Sequence, residues 1–498
     1  MSKFNNIKVP FSTTVVKNKQ RHICCTKQLK STGNEIANLP FYSVSEGEAE
    51  IKQFKSLEEC SSWFSGFEES GDTNTLLLSG IPTSEPLEDE VYQVRSKNKA
   101  VEASISLSAA DFTYTQMPTL GLIDYDPPKS SENAKFHDEI RSKGVLVVLH
   151  ERMPELGLNE LSHIYRDSTS AGIIVTDEEG NGRPYKSMEG IHIFFLISSG
   201  LKLQELLEYM FQQCILSGLF WVEPDKLGRG MIKTPIDTAP SKSFTPRITA
   251  PAKLINSQGA KWKLSRSNLR KVEYVDKQNA MLDASSILTH TEEKISECEE
   301  IIKTAVAKYN SQPAVAAKIE ADKATLKKEY LGTKKTITRD IDRAIDSMVD
   351  RSLIFGDFEL LFDGEKESVT AKSLAGLGGE QYDGATLHDP LDPSPKNKGK
   401  SIFYWNEAKN PYIHSFKHGG YGLRVYAEEP LSSNEWMNRH HAQVFKGEGL
   451  LYAIDKKDFG SVGPLDERIT FVTEAALKKL YEGRFAYDSK GKVVTNDK

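Results

Sequence analysis

Short apolar runs closed by turn residues alternate with helical periods along most of the chain. This mixture predicts an α+β protein. Leu120–Ile123 is mostly apolar and branched, like a buried strand end, and Pro127-Pro128 must stop it because proline donates no ladder hydrogen bond. Phe41–Val44 and Leu76–Leu78 also read as strands. Ser56–Gly66 (SLEECSSWFSG) opens on a helix-start signal and keeps a helical period. Asn133–Lys143 reads as a helix, and the unbroken branched run Val145–Leu149 (VLVVL) as a buried strand. Asp177–Arg183 predicts a hairpin turn and Ile191–Ile197 (IHIFFLI) a strand. Leu203–Leu216 predicts an amphipathic helix with Leu203, Leu206, Leu207, Met210, Phe211 and Cys214 on one stripe.

From Asn279 to Asp350 the chain is almost free of Pro and Gly and reads as helix throughout, cut into about three pieces at Pro313 and Gly332. Beyond it short strands return at Leu423–Tyr426, Ala442–Phe445, Gly449–Ile454 and Ile469–Val472, with a short helix at Glu474–Tyr481. The shifts divide the chain into a basic N-terminal arm (1–34), a mixed domain (35–260), a helical domain (261–350) and a mixed α/β C-terminal region (351–498). No period of about 20–50 residues repeats, which excludes a solenoid.

At 498 residues, with 38% apolar and 27% charged positions, the chain can bury several modest cores and is not disordered. The net charge of −6 is silent on nucleic acid, so local charge matters more. Lys3, Lys8, Lys17, Lys19, Arg21, Lys27 and Lys30 all precede the first acid, Glu35. That arm suits nucleic-acid phosphates or a solvated terminus. Between 241 and 277, Lys242, Arg247, Lys253, Lys261, Lys263, Arg266, Arg270, Lys271 and Lys277 face only Glu273 and Asp276. With Trp262 and Tyr274 to stack on bases, this stretch suits a template channel, the alternative being a solvated helix face. No uncharged apolar run approaches membrane length and no apolar signal core opens the chain, so a cytoplasmic protein without membrane contact is expected. Cys24, Cys25, Cys60, Cys214 and Cys298 form no Cys-x-x-Cys pair, which argues against a zinc site or a disulfide framework.

Asp124 and Asp126 lie two apart, a spacing that puts both on one strand face. Side by side they repel unless cations neutralise them, and Mg²⁺ binds through one or two carboxylates plus substrate phosphates. The bland alternative is an Asp-rich turn. His192 follows the start of the strand in Gly190-Ile191-His192, and Asp237 sits in Thr234-Pro235-Ile236-Asp237-Thr238. Taken singly, His192 reads as a structural histidine and Asp237 as a turn acid. Together they supply what phosphoryl transfer needs: carboxylates from different strands around two ions about 4 Å apart, and a donor for the triphosphate.

The series GLIDYDPP, RDSTSAGI, EGIHIFFLISSG and TPIDTAPSKSFTPRI, in that order, resembles the archaeo-eukaryotic primase superfamily, and most closely the primase-polymerases of phages, plasmids and mobile elements. The resemblance implies an RRM- or ferredoxin-like sheet with helices. It implies that Asp124, Asp126 and Asp237 bind two divalent ions, Mg²⁺ or Mn²⁺. By the same likeness His192 and Gly190 meet the triphosphate, and Ser168, Ser170 and Arg247 line the nucleotide pocket. The implied activity is primer synthesis on single-stranded DNA from nucleoside triphosphates. Thr386–Leu391 (TLHDPL) and Ile413–Gly420 (IHSFKHGG) resemble segments that join such a primase to a ring helicase. No phosphate-binding Gly-x-x-x-x-Gly-Lys run occurs, so a helicase partner is expected to be a separate protein or missing from this chain. Two positions depart from the family pattern: Glu189, where many members carry glycine, and Pro240. His414 and His418, four apart, offer a metal pair or a plain hairpin. Two other classes compete: a DNA-binding replication initiator or helicase loader without catalysis, and a metal-dependent nuclease on a related sheet.

Overall fold

The computed structural model describes residues 8–20, 24–39, 44–86, 91–95, 104–129, 133–186, 188–225, 228–287, 289–333, 338–365, 367–391, 399–405, 410–415 and 421–430, and after these the strand backbones at 442–446, 449–455, 469–473, 485–487 and 493–495. The chain forms two units, Met1–Val315 and Ala316–Lys498, each of mixed α+β character. Among the described residues no helix is long and apolar enough to cross a membrane.

The first unit is organised on a four-stranded antiparallel sheet in the order Thr119–Tyr125, Ile191–Ile197, His163–Asp167, Val272–Val275. Alternation decides what covers each face. Leu120, Leu122, Ile164, Phe194 and Leu196 pack with Leu57, Cys60 and Phe64 of the helix Leu57–Ser70. Ser56 caps that helix by accepting from Glu59 N–H. Ile123, Tyr125, Ile193, Phe195 and Ile197 share the second core with Val148, Leu149, Leu206, Leu207 and Met210. The helix Leu203–Leu216 matches its predicted bounds.

Val145–Leu149 is not the expected buried strand but part of a helix, Val145–Arg152. Val145, Leu146, Val148 and Leu149 are buried while Val147 is exposed, which is helical spacing. A five-residue apolar run fits either structure, and packing under the sheet decides.

The expected basic arm is not an appendage where it is described. Phe11–Asn18 lies between Thr75–Leu78 and Glu46–Phe54 in a six-stranded sheet, with Val15 and Val16 buried. Its lysines are answered across the ladder. Lys17 pairs with Glu50 at 3.5 Å, and Lys19 with Glu48. Residues 261–283, expected to open a helical domain, instead hold the strands Lys263–Arg266 and Val272–Val275. Helix begins at Glu292–Asn310 and continues as Pro313–Thr333 and Arg339–Arg351, broken near the expected points.

In the second unit, Arg339–Arg351 buries Ile341, Ile345 and Met348, and Lys327 bridges Asp342 and Asp346 at 2.8 Å each. A five-stranded sheet runs Leu353–Phe355, Tyr421–Tyr426, Tyr412–Ser415, Ser401–Tyr404, Thr386–Leu387. The fully buried Asp389 accepts from Leu391 N–H at 2.9 Å and from the Ser415 hydroxyl, which ties the Thr386–Leu391 segment to the His414 strand. His418, Phe41–Ser43 and the helix expected at Glu474–Tyr481 lie outside the described residues.

Candidate functional site

Period two sends Asp124 to the same sheet face as Leu120 and Leu122, at the strand's end. The antiparallel register then sets Asp124 opposite His192, and His192 opposite Arg166. This polar row caps the apolar row Leu122–Phe194–Ile164 beneath it. His192 Nε2 lies 3.2 Å from Asp124 Oδ1, and an Arg166 terminal nitrogen lies 3.1 Å from His192 Nδ1. Arg166 is 1% exposed. It also donates to the carbonyls of Ile248 at 2.8 Å and Thr249 at 3.4 Å, and its guanidinium lies 4.7 and 4.9 Å from the ring centres of Phe64 and Phe194. Burial and then neighbouring Arg270 pull the guanidinium down to about 9, still above neutrality, so it stays charged. Burial pushes the Asp124 carboxyl up, but His192, then Arg166 and Lys233, outweigh it and hold it below the usual range.

Asp237 reaches the same place by a different route. Thr234 accepts from Ile236 N–H at 3.0 Å and donates to the Ile236 carbonyl at 2.8 Å. That turn plants Ile236 in the core beside Ile123 and Tyr125. Asp237, exposed at its outer side, accepts from Ala239 N–H at 2.9 Å. Burial raises its carboxyl, the Ala239 N–H opposes this, and the charges of Asp124 and Asp126 raise it further. Asp237 therefore lies within electrostatic reach of both Asp124 and Asp126.

The two shifts have opposite consequences. Asp124, depressed in the fold, adds stability above its unfolded value, which is lost as pH falls through its folded value. Asp237, raised in the fold, costs stability once pH rises through its unfolded value. Asp237→Asn keeps an acceptor for Ala239 and is expected to raise the melting temperature in EDTA at neutral pH by about 1–3 °C. A thermal melt against wild type checks this, and a drop would contradict the repulsion.

Among the described residues no three His, Cys, Asp or Glu side chains stand as a ready metal cage. Asp124 Oδ1 is engaged by His192. The donor type nevertheless suits a hard divalent ion, which takes carboxylate oxygens and would relieve the charge that Asp124 and Asp126 press on Asp237.

Gly190 joins this cluster to the small-residue loop. Its carbonyl accepts from Ser168 N–H at 3.0 Å. A Cβ there would stand 2.9 Å from the Tyr125 carbonyl oxygen, 3.2 Å from Ser168 Cβ and 3.5 Å from Asp126 Oδ1. Gly190→Ala is expected to cost about 1–3 kcal/mol in urea unfolding, because backbone blocks the methyl. Ser168 and Ser170 are buried, and the Ser168 hydroxyl has no hydrogen-bond partner. Glu189 accepts from Gly172 N–H at 2.7 Å, so this departure from the family pattern closes the loop. Pro240 supplies the carbonyl that receives a 2.8 Å bond from Arg247. Arg247 is 3% exposed and lies near Asp124, with Nε and one terminal nitrogen unpartnered.

Asp124 and His192 meet at one end of the central sheet, with Gly190 beside Asp126 and bonded to Ser168. Asp237 and Arg247 lie within electrostatic reach of Asp124, and Ser170 is buried two residues along the Ser168 loop. Three cations were missed, Arg166, Lys186 and Lys233, and Lys27 was read only as part of the N-terminal arm. Burial lowers Lys27, Lys186 adds to this, and Asp126 opposes it. Lys233 acts on both Asp124 and Asp237. Arg166 had a legible signal, since it shares a strand face with Ile164, where an apolar residue belongs.

The basic stretch 241–277 is partly used internally. Arg270 pairs with Glu68, and Arg266 donates to the carbonyls of Ala171, Thr169 and Ala252. Lys242, Lys253, Lys261, Lys263 and Lys277 stay exposed. The Trp262 indole donates to the Asn34 carbonyl at 3.0 Å under Arg183. No family model, curated protein or solved structure matches the chain.

Proposed function

We propose that this protein is a primase-polymerase of the archaeo-eukaryotic primase type, extending primers on single-stranded DNA from nucleoside triphosphates. The observation that supports the reading is that Asp124, 3.2 Å from His192, and Asp126 act on Asp237, which comes from a segment over a hundred residues away, with Lys233 acting on both Asp124 and Asp237. The strand–helix–strand–strand–helix–strand succession around the four-stranded antiparallel sheet resembles a ferredoxin-like core, although the last strand, Val272–Val275, pairs with His163–Asp167 rather than with Thr119–Tyr125.

Asp124, Asp126 and Asp237 would hold divalent ions, Mg²⁺ or Mn²⁺. Such ions, when bound, supply activation of a 3′-hydroxyl and neutralisation of leaving pyrophosphate. His192 presents Nε2 at the edge of the carboxylate group. Gly190 lets the strand backbone lie close to the Ser168 loop. Lys27, which acts with Asp126, and Lys233, which acts on Asp124 and Asp237, would help orient a triphosphate, with the buried Arg247 adding positive charge near Asp124. The exposed lysines from 242 to 277 suit a template backbone.

The Asp124–His192 contact, which occupies one carboxylate oxygen, favours a second reading, a DNA-binding initiator without catalysis. One assay separates the readings. The full chain is given a single-stranded template, Mg²⁺ or Mn²⁺, and labelled ribo- or deoxynucleotides. Primer products support the proposal. Template binding without incorporation supports the initiator, and cutting of the strand without triphosphates supports a nuclease.

A further inference from the structure

We infer that Arg166 is a positioning residue for this site: it fixes the His192 ring with a bare Nδ1 and the proton on Nε2, so that the imidazole faces the carboxylates and an incoming triphosphate as a donor. The inference builds on the primase reading only for the triphosphate; the ring's state is a property of the resting protein.

The argument is one of donors and acceptors. A guanidinium carries five N–H donors and no acceptor. The nitrogen 3.1 Å from it must therefore accept, which assigns the hydrogen of a neutral ring to Nε2. The nitrogen that then carries the hydrogen lies 3.2 Å from Asp124 Oδ1, an oxygen that can only accept when ionised. The opposite tautomer would set N–H against guanidinium and a lone pair against carboxylate.

Arg166 is held through both terminal nitrogens: one donates to Ile248 and the other to Thr249, and its plane lies near Phe64 and Phe194, while its Nε has no partner. Thr249's carbonyl also accepts from Arg270 at 2.8 Å, and Arg270 is clamped by Glu68. The buried ion pair thus braces the group that braces the ring. A metal-bound histidine is commonly oriented in this way by an outer partner, and loss of such a partner costs about 10–100-fold. Here the same logic applies to a histidine beside carboxylates.

The test uses the full chain labelled with ¹⁵N-histidine in mildly alkaline buffer, with His192→Gln identifying the His192 signals. In wild type the Nε2 signal should be that of a protonated nitrogen. The Nδ1 signal should be that of a bare nitrogen accepting a hydrogen bond. Arg166→Met, close in length and without donors, should move the Nδ1 signal to that of a free bare nitrogen. Arg166→Lys, which keeps one donor, should restore it in part. In primer synthesis Arg166→Met should raise KM for the nucleoside triphosphate about tenfold or more, with kcat changed less. A wild-type ring protonated on Nδ1 overturns the inference outright, even if the Met variant fails to fold. An unmoved Nδ1 signal in a folded Arg166→Met protein overturns it as well. A wild type that makes no primer but shows the predicted ring refutes the primase reading and leaves this inference standing.

Discussion

A protein carrying Asp124→Ala and Asp126→Ala is expected to keep its fold and to lose primer synthesis by about a thousandfold or more. Asp126 is exposed, and Asp124 sits at a strand end with its side chain one-third exposed. Water can therefore take over the hydrogen bond from His192, and the stability cost should be about 1 kcal/mol. Under the proposed function catalysis would have no such substitute, because these carboxylates would be two of the three groups holding divalent ions. Circular dichroism checks the fold and labelled-nucleotide incorporation checks the activity. Mn²⁺ titration gives a readout free of catalysis. At a hundredfold excess over its dissociation constant, an ion bound only by the folded state stabilises by about 2.7 kcal/mol. That rise in melting temperature should appear in wild type and vanish in the double variant. Full incorporation by the double variant would refute the proposed function.

Glu68→Ala is expected to destabilise the first unit by about 3–5 kcal/mol, lowering its melting temperature by roughly 10 °C. Glu68 accepts from Arg270 Nε through both oxygens, at 2.9 and 3.1 Å, and again from a terminal nitrogen. The two side chains are 0% and 4% exposed. Removing the carboxylate leaves a buried guanidinium without a counter-charge, which costs far more than an intact pair contributes. The double change Glu68→Leu with Arg270→Met removes both charges and should recover most of the loss. Failure of that recovery would mean the cavity, not the stranded charge, sets the penalty. Because Arg270 and Arg166 share the Thr249 carbonyl, Glu68→Ala should also disturb the candidate site.

Where the chain's instructions are local, they can be read from the residues in order. Ser56 announces the helix that follows it, and Pro127-Pro128 closes the strand before it. Alternation in Ile191–Ile197 marks two faces, and the Leu203–Leu216 stripe marks one. Asp124, Asp126, His192 and Asp237 stand out because each is a polar group at the end or edge of an apolar run. The VLVVL run was misread because five apolar residues satisfy a strand and a helix equally well. Only the surface they pack against chooses between them. The basic N-terminus was misread because the charges that answer Lys17 and Lys19 lie on a strand about thirty residues later.

Residue types and short-range periods decided which side chains were available for chemistry and which elements would carry them. Which of them meet was decided by strand register and by packing. The row Asp124–His192–Arg166 exists only because three strands align in one antiparallel order, and a slip of one residue would send each side chain to the other face. The same holds for the pressure of Asp124 and Asp126 on Asp237, and for the burial that turns Arg166 from a surface charge into a fixed donor. Backbone preferences act over a few residues, whereas burial and charge act through space between segments that the chain order keeps apart.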